Sequence, residues 1–174
     1  YVDAIIVGGS EATVNPLAAA GFTTMMALSF SEDPNTASLP FDKRRNGFVM
    51  VEGAGCLVLE EYEHAKARGA HIYAELSGYG STCDAYHMTS PEPEAEGAYK
   101  AILQAWNEMG LDTDAVYYNA HGTGTAMNDK VETLAIKRAL GEDRARKIAI
   151  SSTKSMTGHM LGAAGAAEAI VCVK

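Results

Sequence analysis

Apolar runs that end in glycine-rich or polar loops and then pass into helical patterns recur along this chain. This alternation constrains the fold more than any other feature. The run VYYNA leads into HGTGT and a helical pattern, and the run KIAIS leads into STKSMTGH and an alanine-rich helical pattern. Alternating strand and helix patterns indicate an α/β protein. Polar side chains on strand-to-helix loops often carry chemistry on a rigid frame, so these two loops are the first places to search for a site.

The remaining patterns supply further strands and helices. DAIIVGG predicts a buried strand, and GFVMVEGAGCLVLEE predicts an interrupted strand. HIYAELSGYGST predicts a half-buried strand, because its apolar and polar residues alternate. Helices are predicted in NPLAAAGFTTMMALS, broken at Gly21, in YEHAKARGA, and in EAEGAYKAILQAWNEMGL, ended by Gly110. NDKVETLAIKRALGE predicts a further helix with Asn128 as its N-cap.

Composition excludes several classes of protein. The chain has 174 residues, about one domain, and a net charge of −8, which argues against a nucleic-acid binder. No apolar run is long enough to span a membrane. Cys56, Cys83 and Cys172 have no paired spacing, which fits reduced thiols in a cytoplasmic protein. Cys56 and Cys172 lie in apolar patterns and are predicted to be small core residues.

Both ends of the sequence interrupt a pattern. Residue 1 is not methionine, and the chain stops at Lys174 inside the helical pattern AAGAAEAIVCVK, with no stop signal. We therefore expect these residues to be part of a longer protein.

The first candidate site is the loop NAHGTGTAMND. His121 follows a strand, Gly122 and Gly124 allow close approach of a ligand to the backbone, and Thr123 and Thr125 add hydroxyl groups on one side. The loop lacks the lysine of a phosphate loop. The alternative is a hairpin-like loop with a structural histidine.

The second candidate site is SSTKSMTGHMLGAAG, which carries Lys154 and His159, and the third is the proline-bounded CDAYHMTSPEPE. The alternative for the second is a strand-to-helix turn with exposed polar residues. Histidines 64, 71 and 87 are predicted to be surface or structural residues. A metal held by His121 and His159 is disfavoured because neither has a third ligand at a recognisable spacing.

Four motifs occur together: GFVMVEGAG, DAYHMTSP, NAHGTGT with NDKVE, and SSTKSMTGHMLGAAG. In this order they resemble the β-ketoacyl-acyl-carrier-protein synthases of the condensing-enzyme family, and DAYHMTSP resembles the type II members. The resemblance implies a thiolase-like α/β fold, layered α-β-α-β-α, with two pseudo-symmetric halves in a cytoplasmic homodimer. Residues 1–70 would form the end of the first half and residues 71–174 the greater part of the second. The missing segments of the same chain would supply the family's catalytic cysteine, upstream, and its late glycine-rich loop, downstream.

The resemblance also implies roles for individual residues. His121 and His159 match two active-site histidines, which would donate hydrogen bonds to the oxygen of the enolate formed when malonyl loses carbon dioxide. Lys154 would keep the neighbouring imidazole neutral. Glu132 matches the partner of Lys154, and Asp129, one helical turn earlier, could share that task.

The implied partners are an acyl carrier protein, whose phosphopantetheine arm would contact Thr123 and Thr125, and malonyl and acyl thioesters. No cofactor, catalytic metal, nucleic acid or membrane is implied. In some members Asn119 and Glu168 match positions that help to bind a structural cation.

The sequence departs from the family pattern at several positions. Val51 stands where glycine is usual, which puts the close packing of the backbone at this position in doubt. Asn46 stands where aspartate is usual, and Ala126 stands where proline is usual. Met26 stands where many members have a basic residue that meets the acidic carrier protein. The nearest basic patch is Lys43–Arg45, although a solvated loop explains it equally well.

The resemblance leaves three functions open. The first is a condensing enzyme of fatty-acid chain elongation, a 3-oxoacyl-acyl-carrier-protein synthase II-like acyltransferase. The second is a polyketide ketosynthase, with the same chemistry on another substrate. The third is a non-catalytic chain-length factor, which the joint presence of His121, His159 and Lys154 disfavours. We expect the 174-residue chain alone to be inactive, because acyl transfer needs a nucleophile.

Overall fold

The computed structural model describes residues 2–113 and 115–174, and it confirms the predicted mixture of strands and helices. The strands are β1 (Ala4–Glu11), β2 (Gly53–Glu60), β3 (Tyr117–Asn119) and β4 (Ala149–Ser151). The helices are α1 (Pro16–Thr24), α2 (Tyr62–Ala67), α3 (Glu96–Met109), α4 (Ala126–Leu140), α5 (Glu142–Ala145), α6 (Lys154–Thr157) and α7 (Ala164–Val173). Short 3-10 turns span Pro34–Thr36 and Leu161–Ala163.

Strands β1 and β2 form an antiparallel pair whose register runs from Ala4 opposite Glu60 to Glu11 opposite Gly53. Helix α7 and the 3-10 turn before it pack against this pair. The Glu11 carboxylate accepts a hydrogen bond from the backbone N–H of Gly162 at 3.0 Å, which ties the end of β1 to that turn. The β1–β2 pair therefore supports the segment that follows His159.

Strands β3 and β4 are parallel, with Tyr117 opposite Ala149 and Asn119 opposite Ser151. The carboxyl ends of parallel strands lie at the same edge of a sheet. The loop with His121 and the loop with Lys154 and His159 therefore leave the sheet side by side. Next to this pair, α3 packs on α4 through a small apolar cluster, whose buried members are Ala95, Val131 and Ala135.

The strand predicted in HIYAELSGYGST is wrong for this structure. Residues 71–82 have no strand partner among the residues that the structure describes, and they run beside α3. A Cβ added to Gly78 would lie 2.2 Å from the carbonyl oxygen of Ala105, and one added to Gly80 would lie 2.0 Å from that of Ala101. Gly78 and Gly80 approach α3 closely, while Tyr73 and Leu76 are exposed, so the alternating pattern corresponds neither to a strand ladder nor to a buried face in the part of the chain that the structure describes.

Two helix boundaries also differ from the prediction. Helix α1 continues through Gly21 to Thr24, because a single interior glycine costs a helix only about 1 kcal/mol. Helix α4 begins after Thr125, so Asn128 is not its N-cap. The Asn128 amide lies inside the first turn and donates to Asp129 and Glu132 at 3.2 and 3.3 Å.

Burial is lower than predicted. β1, expected to be buried, is largely exposed, and β4 is exposed as well. Cys56 and Cys172 are exposed rather than core residues. Large apolar side chains such as Ile6 (76% exposed) and Leu17 (84%) lie at the surface. Within residues 2–113 and 115–174, no helix has the length and apolar character that crossing a membrane requires.

Candidate active site

His159 is held on both sides of its backbone by the segment that precedes β2. Its N–H donates to the Val49 carbonyl at 2.7 Å, and its own carbonyl accepts from the Val51 N–H at 3.1 Å. The Phe48 ring packs edge-on against the imidazole, with ring centroids 4.8 Å apart. The imidazole is 9% exposed, so both its position and its orientation are fixed by packing.

Val51, the departure from the family's usual glycine, is accommodated by Gly158. A Cβ on Gly158 would lie only 2.8 Å from Val51 Cγ1 and 3.0 Å from the Val49 carbonyl oxygen. Gly158 also has a φ of 73°, a conformation that disfavours other residues. The close backbone packing that Val51 brought into question is therefore kept, with the valine filling the space beside Gly158.

The surroundings of His159 select one neutral form of the ring. The Leu161 N–H donates to Nδ1 at 3.0 Å, so Nδ1 acts as an acceptor and the ring proton lies on Nε2. Burial lowers the pKa of His159 to about 4, and the nearby Lys154 ammonium and His121 add to the effect. His159 is therefore a neutral Nε2–H donor near pH 7.

His121 faces His159, as the resemblance to the condensing enzymes implied. The two ring centroids are 5.4 Å apart and the rings are nearly perpendicular, at 86°. Partial burial lowers the pKa of His121, and the Lys154 ammonium lowers it further, against the opposing carboxylate of Glu132. Part of His121 remains open to solvent in this chain, so its pKa is affected by burial only in part, but both imidazoles favour the neutral state.

The Glu132 carboxylate holds the backbone of the His121 loop. It accepts from the His121 N–H at 2.7 Å and from the Gly122 N–H at 2.8 Å. The Tyr118 hydroxyl donates to it at 3.5 Å, and burial, together with this carboxylate, raises the pKa of Tyr118. Glu132 is 8% exposed, and hydrogen bonds from these N–H and O–H donors stabilise its buried charge.

The predicted pairing of Lys154 with Glu132 is wrong. Lys154 is 1% exposed, and its Nζ lies 2.5 Å from Glu168 Oε1 on α7. The Thr153 hydroxyl donates to the same Glu168 oxygen at 3.4 Å. Lys154 therefore finds its partner on α7, whereas Glu132 accepts from two backbone N–H groups of the His121 loop.

Asp129 does not share the task of pairing with Lys154 either. Its Oδ2 accepts from the Phe41 N–H at 2.7 Å, and its Oδ1 accepts from the Gly124 N–H at 3.2 Å. Its ion pair is with Arg45, at 3.7 Å. Asp129 therefore joins the glycine loop to the segment around Phe41.

Ser152 is a residue that the sequence analysis missed. Its hydroxyl, in a side chain only 4% exposed, donates to the Gly122 carbonyl at 2.9 Å. It also accepts from the Lys154 N–H at 3.3 Å. Ser152 thus joins the two histidine loops, and its place directly after β4 was the available signal.

The two threonines predicted to bind substrate lie together beside the histidine loop. Their hydroxyl oxygens are 2.8 Å apart, and the Thr125 N–H donates to Thr123 Oγ1 at 3.3 Å. Thr123 is 6% exposed and Thr125 is partly exposed. The structure therefore places the pair as one hydroxyl cluster at the start of α4.

The third candidate loop has contacts of its own. Asp84 accepts from the Glu92 N–H at 3.0 Å, and His87 Nδ1 accepts from the Thr89 N–H at 3.2 Å. These bonds stabilise local turns. They do not bring Asp84 or His87 to the two histidines.

Few of the described side chains are placed to bind a metal ion. Among the residues that the structure describes, no group of three or more His, Cys, Asp or Glu side chains could hold a metal. At the position matched to the structural cation, Asn119 Oδ1 is buried without a hydrogen-bond partner, which suits a cation ligand. Glu168 Oε1, by contrast, is already paired with the Lys154 ammonium.

A comparison of this chain with models of protein families finds that both histidine loops lie within the match to one family domain. Residues 73–174 match the family model described as beta-ketoacyl synthase, C-terminal domain, and residues 1–65 match the N-terminal domain. The 3-oxoacyl-acyl-carrier-protein synthase 2 of Synechocystis sp. is 57% identical over 99% of this chain and 42% of its own length. The protein of the same name from Vibrio cholerae is 53% identical over 98% of this chain and 42% of its own length. The chain thus spans less than half of these relatives.

Solved ketosynthase structures are also similar to this chain. A type II polyketide ketosynthase, solved in complex with its acyl-carrier protein, has a TM-score of 0.92 and 45% identity over 99% of this chain and 43% of its own. A beta-ketoacyl synthase from Burkholderia phymatum has a TM-score of 0.86 and 43% identity over 98% of this chain and 41% of its own. These similarities confirm the expected thiolase-like fold. With the family model matching more than half of its residues, this chain belongs to the beta-ketoacyl synthase family.

Proposed function

We propose that the protein containing this chain is a 3-oxoacyl-acyl-carrier-protein synthase II-like enzyme of fatty-acid chain elongation. The curated relatives named 3-oxoacyl-acyl-carrier-protein synthase 2, at 53–57% identity, support this function. The protein would act as a cytoplasmic homodimer. Residues 1–70 would end its first half and residues 71–174 would form most of its second.

The observation that carries this proposal is the pair of neutral imidazoles. His121 and His159 face one another with centroids 5.4 Å apart, and the Leu161 N–H leaves His159 with its proton on Nε2. In the proposed step the bond to the malonyl carboxylate breaks, carbon dioxide leaves, and the electron pair forms an enolate. Two N–H donors aimed at the enolate oxygen stabilise that charge, and one such donor typically contributes about 10²–10³ in rate.

Bond formation completes the cycle. The enolate carbon attacks the carbonyl carbon of an acyl thioester on the cysteine expected elsewhere in the protein, and the cysteine thiolate leaves. The buried Lys154 ammonium favours neutral imidazoles throughout, because a positive charge nearby disfavours imidazolium. Lys154 is thus an electrostatic positioning residue, and Glu168 makes its burial possible.

The acyl carrier protein is the proposed partner, with its phosphopantetheine arm reaching the hydroxyls of Thr123 and Thr125. A solved relative was captured as a ketosynthase with its acyl-carrier protein, which supports this partner. The proposed basic docking patch has little free charge. Arg44, although 68% exposed, is paired with Asp42 at 2.9 Å, and Arg45 is paired with Asp129 at 3.7 Å. Lys43 is therefore the exposed cation of this patch that has no ion pair with a described residue.

A polyketide ketosynthase is the second candidate, favoured by the type II polyketide ketosynthase at a TM-score of 0.92. The two functions differ in how many malonyl units are added before the keto group is reduced. A chain-length factor is less suited, because this chain keeps both histidines and the lysine.

The test is incubation of the full-length protein with acyl- and malonyl-carrier protein, followed by mass spectrometry of the products. Fatty-acid elongation predicts a single 3-oxoacyl product, two carbons longer than the acyl primer. Repeated addition without reduction would favour the polyketide function, and no decarboxylation would contradict both enzymatic functions.

A further inference from the structure

Arg45 has a position that the motifs alone did not explain. Its guanidinium is turned towards the start of α4, where Nε donates to the Thr125 carbonyl at 3.2 Å and one terminal nitrogen to the Ala126 carbonyl at 3.0 Å. The other terminal nitrogen donates to the Asp42 carbonyl at 3.0 Å. The side chain is only 22% exposed. Three donors of one planar group therefore connect two segments of backbone.

A cation at this place needs an electrostatic reason. The N-terminal end of a helix carries partial positive charge, so a guanidinium beside it is disfavoured on its own. Asp129 compensates, because its carboxylate is 1% exposed and lies 3.7 Å from Arg45 Nε. The planar donor fork of arginine suits two adjacent carbonyl groups in a way that an ammonium group does not.

The same carboxylate fixes the segment that carries Arg45. Asp129 accepts from the N–H of Phe41, whose φ of 63° is unusual for a residue with a side chain. The Gly47 N–H donates to the Gly124 carbonyl at 3.0 Å, which adds a second backbone link. Residues 41–47 and 124–126 are therefore clamped together at several points.

We infer that Arg45 is a positioning residue that holds Thr125, and through it Thr123, in place for the pantetheine arm of the substrate. Arg45 bonds the carbonyl of Thr125, and the hydroxyl of the same residue lies 2.8 Å from that of Thr123. This inference rests on the proposed function. It differs from a role in docking the carrier protein, since the guanidinium is used within the chain.

The experiment compares two malonyl donors on the full-length protein. Malonyl-carrier protein presents both the carrier surface and the arm, whereas malonyl-pantetheine presents the arm alone. In Arg45→Met we expect KM to rise about tenfold for both donors, by the same factor, because charge-assisted hydrogen bonds are lost. The kcat of decarboxylation should stay within about threefold of the original value, since the histidines keep their own supports.

Two further variants keep the comparison interpretable. Arg45→Lys retains the charge beside Asp129 without the fork, so KM should again rise for both donors, by less than in Arg45→Met. This variant carries the test if Arg45→Met does not fold. Lys130→Met, which removes an exposed cation from α4, should leave both KM values unchanged.

The outcomes separate the possible roles of Arg45. A rise in KM confined to malonyl-carrier protein would assign Arg45 to carrier docking and overturn the inference. Unchanged KM values, or a fall in kcat alone, would also overturn it. The original protein serves as the separate check on the proposed function, because its turnover of either donor does not depend on any Arg45 variant.

Discussion

At the scale of single residues, two carboxylates that look equivalent in the sequence perform different tasks. Glu132 accepts from the backbone of the His121 loop, whereas Glu168 pairs with the Lys154 ammonium. One carboxylate therefore sets the position of a donor, and the other allows a positive charge to be buried. Substitutions at Glu132 and at Glu168 should therefore have different effects on the protein.

Removing an imidazole should affect decarboxylation more than acylation. In the full-length protein, we expect His121→Ala or His159→Ala to slow malonyl decarboxylation by about 10²-fold or more, because a donor to the developing charge is lost. Acyl transfer to the cysteine should remain measurable in a single-turnover acylation assay. Equal loss of both steps in His159→Ala would show that this division is wrong.

Breaking the Lys154–Glu168 pair should destabilise the protein. Glu168→Ala leaves a buried ammonium without its partner, a change that can cost about 3–5 kcal/mol. The double variant Lys154→Met, Glu168→Ala should recover part of that stability but not the rate. Thermal melts and decarboxylation rates of both variants and of Lys154→Met check this. A double variant no more stable than Glu168→Ala would contradict the pairing.

The low pKa of His159 predicts a stability loss in acid. The pKa of the buried ring is about 4, below its ordinary value of 6.5, so between these values the unfolded chain binds a proton that the native protein does not. Stability should be unaffected by this group above pH 6.5 and should fall as the pH drops towards 4, by on the order of 3 kcal/mol. Urea unfolding of the full-length protein and of His159→Asn across this range measures the difference. Parallel pH profiles would contradict it.

At the scale of elements, the contact between Val51 and Gly158 couples the segment before β2 to the loop of His159. Gly158→Ala should destabilise the protein and lower activity, because its Cβ would meet Val51 Cγ1 at 2.8 Å and φ is 73°. Adding Val51→Gly removes the contact between that Cβ and Val51 Cγ1, so it should recover part of the lost stability. Recovery should be incomplete, because the contact with the Val49 carbonyl and the backbone strain remain. Melting temperatures of both single variants and the double variant test this. Strict additivity of their effects would contradict the coupling.

The sequence predicted those features of the elements that depend on local pattern. Helix α3, ended by Gly110 in a left-handed conformation, and the loops with His121 and His159 all occur where expected. The partner of Lys154 was not predictable in this way, because the approach of Glu168 depends on how α7 packs on β1 and β2. The strand predicted in residues 71–82 was wrong for a similar reason. Alternation of apolar and polar residues does not reveal whether the segment next to them is a strand or a helix.

At the scale of the whole molecule, much apolar surface remains uncovered in this chain. Ile6, Leu17 and Leu76 are each at least 75% exposed, and large exposed apolar surfaces favour association. We expect the isolated 174-residue chain to bind a hydrophobic dye and to aggregate or melt without a sharp transition. Dye fluorescence and light scattering check this. A monomer with a cooperative melt would contradict it.

The same chain should not catalyse condensation. Its three cysteines are exposed, and in the described part of the chain no contact joins one of them to His121 or His159. Without a nucleophile beside the imidazoles, no acyl-enzyme can form for the enolate to attack. Mass spectrometry after incubation with acyl- and malonyl-carrier protein should show no 3-oxoacyl product. Detection of that product would require one of these cysteines to act.

The hydrogen bonds between His159 and Val49 and Val51 also bear on how the protein folds. They join residues far apart in the sequence, so closing them costs chain entropy that other contacts must offset. We therefore expect the imidazole to acquire its orientation late in folding, after contacts between residues nearer in the sequence have formed. Hydrogen exchange of the His159 and Val51 amides in the full-length protein should then proceed by one shared opening, with equal protection, so the site and the surrounding fold should be lost together.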